Sequence, residues 1–260
     1  MIKWCAYCQE YQGEIAPFDK FGLTHGICGR CKEIGISKLE DDFDSILRLK
    51  SLQDRLWQAG KAEDRSAVDG LIADAINYQV RPVDVLVGLL GPMLYQIGED
   101  WERGKITVAD EHRFTAFAFD VMGVVRAKMK MDTNAASEGK LRVLLLNADG
   151  NYHSLGIQIL EIFLRSSGIV AKAIFPGLPA TESVHLAKEC KPEWIGISIS
   201  LPEQIPSVIE IVHKITENSP VLSGKIFLGG NAVRKELVPE IVGTIQIAEL
   251  GSMLTFLRKI

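Results

Sequence analysis

The strongest constraint on the fold is the alternation of short apolar runs with helical patterns between residues 141 and 260. Five runs have the length and composition of buried strands: LRVLLLN, IVAKAIF, WIGISIS, KIFLGG and TIQIA. Helical periodicity fills the segments between them, at residues 156–168, 181–190, 203–218 and 231–239. Such an alternation predicts an α/β fold, a doubly wound parallel five-stranded sheet of the Rossmann or flavodoxin type.

Ligands of such sheets bind beyond the carboxyl ends of the strands, so the residues that follow the strands are the candidate site. The loop NADGNYHSLG follows the first strand, and short polar or glycine pairs end the third and fourth. All of these residues are expected at one edge of the sheet: Asn151, His153, Gly156, Ser198, Ser200, Gly229 and Gly230.

The region before the sheet shows helical periodicity, with breaks near Gly60 and Tyr78. Pro82 suits the first turn of a third helix, which Pro92 should bend, and Thr107 can cap a fourth together with Asp110. Four helices of these lengths predict a bundle. The expected domains are a zinc ribbon (1–36), a four-helix cap (37–131), a polar linker (132–140) and the α/β domain (141–260).

Four of the five cysteines form two short pairs that are typical of a zinc site. Cys5-x-x-Cys8 and Cys28-x-x-Cys31 are separated by 19 residues. Four thiolates complete a tetrahedral site, which indicates a structural ion rather than a catalytic one. Two disulfides and an iron site of the rubredoxin type are the alternatives. The stretch LTHGICGRC resembles small zinc ribbons of bacterial signalling proteins, so His25 is expected beside the site and Cys190 is expected to be an ordinary thiol.

Charge and hydropathy exclude several classes of protein. The net charge is −4, and the charged residues of positions 1–40 cancel, so neither nucleic acid nor an anionic membrane is an expected partner. No apolar run approaches the roughly 18 residues of a membrane span, and the start MIKWCAYC is unlike a signal peptide. We therefore expect a soluble cytoplasmic protein.

The candidate edge residues resemble the motifs of the cobalamin-binding domain. His-x-x-Gly follows the first strand, Ser-x-Ser-Leu the third and Gly-Gly the fourth. The resemblance implies that His153 coordinates cobalt in place of the dimethylbenzimidazole base, that the glycines admit the nucleotide tail, and that Ser198 bonds the displaced base. Asn151 stands where the family has an aspartate, so the histidine should be a less basic ligand unless Asp149 substitutes.

The helical region carries a second resemblance. Trp101, nine residues, then Glu111 and His112 match the W-x(9)-E-H spacing of adenosylcobalamin-binding photoreceptors of the CarH type. The resemblance implies that adenosylcobalamin binds between cap and sheet, with Trp101 against the adenine and Glu111 accepting from the ribose beside His112. The alternative interpretation is a core tryptophan and a solvated pair at a helix start.

Two departures from the CarH type shape the functional expectation. A charge-neutral ribbon replaces the MerR-type DNA-binding domain, so we expect a protein partner or a homo-oligomer instead of operator binding. Glu102 stands where a histidine can replace the lost adenosyl group. The leading hypothesis is a non-enzymatic light sensor for signalling or transcription regulation, and the alternative is a corrinoid carrier for methyl transfer. A radical enzyme subunit is disfavoured because no substrate barrel fits within 260 residues.

Overall fold

A computed structural model describes residues 1–35, 43–129 and 141–257. The chain forms two compact units, Met1–Lys130 and Met131–Ile260. The predicted linker at 132–140 and the predicted ribbon boundary at residue 36 lie outside the described residues, so the four domain limits remain predictions.

The first unit begins with a small three-stranded sheet. Its strands are β1 (Ile2–Cys5), β2 (Tyr11–Glu14) and β3 (Leu23–Gly26), followed by the short helix α1 (Gly29–Ile34). The order is β2-β1-β3, with β2 antiparallel and β3 parallel to the central strand. Cys5 ends β1 and Cys28 caps α1, so the sheet brings the two cysteine pairs together.

Helices complete the first unit and confirm the predicted bundle. They are α2 (Phe43–Ala62), a 3₁₀ turn (Arg65–Ala67), α3 (Val68–Asn77), α4 (Pro82–Val85), a π turn (Leu86–Leu90), α5 (Gly91–Glu102) and α6 (Val108–Lys128). Because α4, the π turn and α5 are continuous, they form one long helix, and four helical segments surround the core. That core includes the fully buried Leu52, Leu56, Ile72, Phe114 and Phe117.

Pro92 is predicted to bend its helix, and the structure has a π turn just before it, at Leu86–Leu90. Proline has no backbone N–H, so the carbonyl four residues earlier, at Gly88, cannot receive its usual helical hydrogen bond. The backbone widens at this point, and the N–H of Gly91 donates to the carbonyl of Leu86, five residues back.

The second unit is the predicted doubly wound sheet. Its elements are β4 (Arg142–Asn147), α7 (Ser154–Ser166), β5 (Val170–Ile174), α8 (Ala180–Cys190), β6 (Trp194–Ser198), α9 (Ile205–Asn218), β7 (Ile226–Gly229), α10 (Asn231–Arg234), β8 (Thr244–Gln246) and α11 (Leu250–Leu257). All strands are parallel, in the order β5-β4-β6-β7-β8. Successive residues of β4 enter two cores, one on each face, which explains why its sequence is apolar throughout.

Two parts of this unit differ from the prediction. The helix expected at residues 231–239 was wrong in length, because α10 ends at Arg234 and Glu236 takes a positive φ of 57° that a helix excludes. The sequence did not predict α11, a short C-terminal helix whose Met253 joins the core. Among the described residues, no helix combines the length and apolar character that a membrane crossing requires.

Candidate functional site

The strand order of the second unit creates one crevice at the carboxyl edge of its sheet. The chain leaves β4 towards β5 on one side and leaves β6 towards β7 on the other, so the loops after these neighbouring strands diverge. Ligands of doubly wound sheets bind at such a switch point. The predicted residues Asn151 and His153 lie in the first loop, and Ser198 and Ser200 border the second.

Asn151 connects the two loops through its buried side-chain amide. Its Nδ2 donates to the carbonyl of Ser198 at 3.0 Å, across the crevice. Its Oδ1 accepts from the backbone N–H of His153 at 3.0 Å and from the hydroxyl of Ser200 at 3.1 Å. The Ser198 carbonyl requires a donor and the His153 N–H requires an acceptor, so these bonds fix the orientation of the Asn151 amide.

The orientation of Asn151 also fixes the tautomer of His153. The imidazole Nδ1 lies 3.3 Å from Asn151 Oδ1, which can only accept, so Nδ1 carries the proton. In the neutral imidazole, the exposed ring therefore presents its Nε2 lone pair, the form that binds metals. Asp149 is exposed and, within the part of the chain that the structure describes, makes no hydrogen bond to His153, so the predicted substitution of its carboxylate finds no support.

Residues that the sequence did not single out hold this loop in place. The buried amide of Asn147 donates to the carbonyls of Asn151 and His153, both at 3.2 Å. The buried amide of Gln204 accepts from the N–H of Ser200 at 2.9 Å and donates to the carbonyl of Gly150 at 3.3 Å. The sequence gives one signal for Asn147 and Gln204, which is their position at the end of a strand and the start of a helix beside the switch point.

The predicted glycines occupy different surroundings. Gly230 has a φ of +99°, and a methyl group there would lie 2.9 Å from the backbone nitrogen of Ile199, so the fold itself requires glycine. Gly229 has ordinary space, with the nearest atom 3.5 Å away. A methyl group at Gly156 would meet nothing within 4 Å. Gly156 therefore leaves an open surface at the start of α7, where a ligand can approach the backbone closely.

Gly177 is a further tight glycine that the sequence did not reveal. A methyl group there would lie 2.7 Å from the carbonyl carbon of Ala148, and the Gly177 N–H donates to the carbonyl of Asn151 at 3.0 Å. The loop after β5 thus packs directly on the loop that carries His153.

The helical unit places Trp101 and the Glu111–His112 pair on either side of a turn. Gly104 breaks the helix with a φ of +67°, and Thr107 starts α6 through the predicted capping box with Asp110. The Trp101 side chain is 46% exposed, so the alternative of a core tryptophan is wrong. The other half of that alternative, a solvated pair at a helix start, matches the exposed His112 and the place of Glu111 in the first turn of α6.

Glu111 is held by two neighbours within α6. Its Oε1 accepts from the hydroxyl of Thr115 at 2.8 Å, and its Oε2 lies 2.5 Å from Nδ1 of the exposed His112. A carboxylate offers about four acceptor positions, so both oxygens can still accept from ligand hydroxyls. Asp110 is engaged in the cap, and the hydrogen bonds from the Thr107 hydroxyl and backbone lower its pKa.

The four paired cysteines form a candidate metal centre. Their sulfurs all lie within 4.8 Å of one another, and Cys8 and Cys28 Sγ are 3.7 Å apart. Zn–S bonds of about 2.3 Å in a tetrahedron require sulfurs about 3.8 Å apart, so the cluster fits zinc. Backbone N–H groups of Cys28 and Cys31 point at Cys5 and Cys28 Sγ, each at 3.4 Å, as expected around thiolate ligands.

The surroundings of the sulfurs favour a bound cation. Burial raises the pKa of the Cys5 thiol, but backbone hydrogen bonds from Cys8 and Cys28 outweigh it and bring the pKa to about 7. Burial and the neighbouring sulfurs raise the pKa of Cys8 and Cys31. Burying a thiolate costs free energy unless an opposite charge lies nearby, and a divalent cation supplies that charge. All five cysteines are free in the structure, which does not contain the alternative disulfides.

His25 and Cys190 lie outside the cluster. Burial lowers the pKa of His25, and its buried Nε2 has no hydrogen-bond partner in the described part of the chain. Cys190 ends α8 and lies 3.8 Å from the amine of Lys172.

Comparison with known proteins finds similarity to cobalamin-binding and corrinoid proteins. Residues 52–126 match the family described as B12 binding domain. The chain is 25% identical over 153 residues to dimethylamine corrinoid protein 3 of Methanosarcina acetivorans, covering 58% of this chain and 70% of that protein. It is 24% identical over 192 residues to the HTH-type transcriptional repressor CarH of Myxococcus xanthus, covering 74% of this chain and 61% of the repressor.

The fold is also that of a solved corrinoid protein. The monomethylamine corrinoid protein of Methanosarcina barkeri superposes with a TM-score of 0.65 at 16% identity, over 80% of this chain and 97% of that one. The family match and the named corrinoid protein support cobalamin binding by this chain. These relatives are named as corrinoid proteins and a repressor, not as enzymes, in agreement with the predicted non-catalytic role.

Proposed function

We propose that the chain binds cobalamin with His153 as the lower ligand of cobalt. The observation that carries this proposal is the bond between Asn151 Oδ1 and His153 Nδ1, which leaves an unprotonated Nε2 at the switch point of the sheet. Imidazole nitrogen is a good ligand for such a transition metal. A displaced base would lie towards Ser198, Gly229 and Gly230, and the open surface at Gly156 admits the nucleotide tail.

The surroundings of His153 determine how strongly it binds. An amide behind the imidazole accepts a hydrogen bond but carries no charge, so it orients the ring without making it as basic as a carboxylate would. The buried Asn151 cannot move easily, because its amide also joins Ser198 and Ser200. We infer a well-oriented ligand of moderate basicity.

We further propose that the bound form is adenosylcobalamin and that the protein is a light sensor. Trp101, Glu111 and His112 support this step, because an exposed indole and an oriented carboxylate suit an adenine and a ribose. When bound, the cofactor supplies a cobalt–carbon bond that light can break. The protein residues bind the adenosyl group in the dark and lose that contact after illumination, which shifts a conformational or assembly equilibrium.

The signal would reach a partner protein or a second copy of the chain rather than DNA. The cysteine-bearing segment carries no positive charge excess, and its four sulfurs fit structural zinc. Glu102 is exposed and replaces the histidine of CarH-type proteins, so a stable illuminated state would need another ligand such as His112.

A corrinoid carrier for methyl transfer is the second candidate. It is favoured by the similarity to the dimethylamine corrinoid protein. It requires His153 and the α/β unit in the same way, but it does not require Trp101, Glu111 or His112.

Absorption spectra before and after green illumination distinguish the two functions. We expect the purified protein to take up adenosylcobalamin with a changed visible spectrum, and to change again, together with its elution volume, after light. Trp101→Ala should weaken adenosylcobalamin selectivity, whereas the control Trp57→Phe, on α2, should not. Tighter binding of methylcobalamin, with no change of size in light, would establish the carrier and refute the sensor.

A further inference from the structure

The segment around the first cysteine pair packs against the helices of the same unit. Trp4 precedes Cys5 and is fully buried. Three residues that follow Cys8, namely Gln9, Glu10 and Tyr11, each contact a helical element. The residues that flank the metal ligands are thus the residues that attach the small sheet to the bundle.

Gln9 makes the contact with α2. Its Nε2 donates to the hydroxyl of Ser45 at 2.8 Å and to the carbonyl of Ala6 at 2.8 Å. The Ser45 hydroxyl in turn donates to the same carbonyl at 2.9 Å. Ala6 lies between Cys5 and Cys8, so this triangle of hydrogen bonds joins the metal-binding turn itself to α2.

Glu10 and Tyr11 make the contact with α4. A carboxylate oxygen of Glu10 lies 3.5 Å from Arg81, and the N–H of Tyr11 donates to Asp84 at 3.4 Å. Arg81 also forms two bonds of 2.7 Å with Asp84, which is fully buried. The Arg81 guanidinium is half exposed, but the carboxylate of Asp84 is buried, so separation from Arg81 and from the Tyr11 N–H would leave a buried charge unpaired.

Trp4 reaches the π turn. The Trp4 and Tyr11 rings meet edge to face, with centroids 5.8 Å apart, and both press on Gly88. A methyl group at Gly88 would overlap the Trp4 ring and lie 2.8 Å from Tyr11 Cδ2. The π turn leads directly into α5, which carries the exposed Trp101 in its last turn.

We propose that metal binding by the four cysteines positions α5: the bound ion orders residues 4–11, which hold α4 and the π turn and thereby set the helix that carries Trp101. The cysteine cluster is then a control element of the helical unit, and removal of the metal loosens α4 and α5 as well as the ribbon. Coupling of this kind is reciprocal, so a disturbance that loosens the π turn should also weaken metal binding.

Amide hydrogen exchange of the full chain tests the coupling without cobalamin. The protein is compared with zinc bound and after chelation under reducing conditions. We expect peptides within 82–102 to exchange about tenfold faster, or more, without zinc, while peptides within 142–257 stay unchanged. Faster exchange confined to residues 1–35 would show an independent ribbon and overturn the proposal.

Two glycines of the same long helix supply a matched pair of variants. Gly88→Ala displaces the Trp4 ring, and zinc affinity should fall about tenfold. Gly98→Ala meets nothing within 4 Å and should bind zinc like the unaltered protein. Equal zinc affinities of the two variants would contradict the coupling. If Gly88→Ala does not fold, Ser45→Ala removes the hydrogen bonds of the Ser45 hydroxyl with Gln9 and the Ala6 carbonyl, and should weaken zinc binding by about two- to tenfold.

The effect on cofactor binding rests on the proposed function and is measured separately. Zinc removal should lower adenosylcobalamin affinity, because α5 no longer holds Trp101 in place. Affinity that is independent of zinc would refute the role of α5 in positioning Trp101. If the chain binds no cobalamin in either state while exchange within 82–102 still depends on zinc, the proposed function fails and the coupling of metal to α5 stands.

Discussion

The two units of this chain build their candidate sites in different ways. In the α/β unit, loops from neighbouring strands meet at one edge because every strand is parallel, and Asn151 joins them by buried hydrogen bonds. In the helical unit, Trp101 and Glu111 lie on consecutive helices around an exposed turn, and the bonds of Glu111 stay within α6. At the edge of the sheet, the loops that carry the site hold one another by direct hydrogen bonds, whereas a site on helices depends on what holds each helix.

The difference concerns rigidity as much as position. Loss of a partner in the buried Asn151 network leaves an unsatisfied polar group, which costs about 1–3 kcal/mol. Loss of an exposed partner of Glu111 costs far less, because water replaces it. We infer that the α/β unit provides a fixed ligand platform and that the helical unit provides the part that can respond.

The largest expected effect is the loss of zinc, and it should be confined to the first unit. Cys28→Ser removes one of four thiolates and should abolish stoichiometric zinc binding, whose free energy in small zinc domains is about 10–16 kcal/mol. Metal analysis and hydrogen exchange should show loss of zinc and loosening of the first unit only. The control Cys190→Ser should keep one zinc per chain, and zinc retained by Cys28→Ser would remove that cysteine from the site.

The second prediction tests His153, the proposed cobalt ligand of the α/β unit. His153→Ala should lose the cobalamin-dependent change in the visible spectrum, while the control His185→Ala, on the exposed side of α8, should retain it. Asn151→Ala should lower affinity about 10- to 100-fold, as removal of a residue behind a metal-bound histidine does. A titration of His153→Ala with an unchanged spectrum and affinity would assign the ligand elsewhere.

The third prediction compares a glycine required by the fold with one left open to a ligand. Gly230→Ala should lower the free energy of unfolding by about 1–3 kcal/mol, because of its positive φ and its contact with Ile199. Gly156→Ala should leave stability unchanged or raised but weaken cobalamin binding. Denaturant unfolding and cobalamin titration measure both, and equal behaviour of the two variants would refute the distinction.

The smallest expected effect concerns the start of α6 and its dependence on pH. Hydrogen bonds from Thr107 lower the pKa of Asp110, so its stabilising contribution is complete above the pKa of an unfolded aspartate. It is lost as the pH falls through the lower value of the folded state. Hydrogen exchange or NMR should show the first turn of α6 loosening in acid, and Asp110→Asn should remove that transition. A loosening that persists unchanged in Asp110→Asn would assign it to another group.

Much of the architecture could be predicted because its signals are local. Apolar runs such as that of β4 identify buried strands, and Thr107 with Asp110 identifies a helix start within four residues. The length of α10 was predicted wrongly, because the positive φ of Glu236 belongs to a loop conformation that no periodicity reveals. The support of the His153 loop by Gln204 was missed for a related reason, since these residues are far apart in sequence.

The sequence by itself determined the fold class, the cysteine cluster and the edge of the sheet where the candidate ligand residues lie. These follow from periodicity, from ligand spacing and from the geometry of parallel strands, all of which act over short stretches of chain. Only the tertiary structure decided that Asn151 fixes the tautomer of His153 and that Trp4 rests on Gly88 in the π turn. Such contacts join atoms whose separation in space the sequence leaves open, because close packing of the whole chain sets that separation.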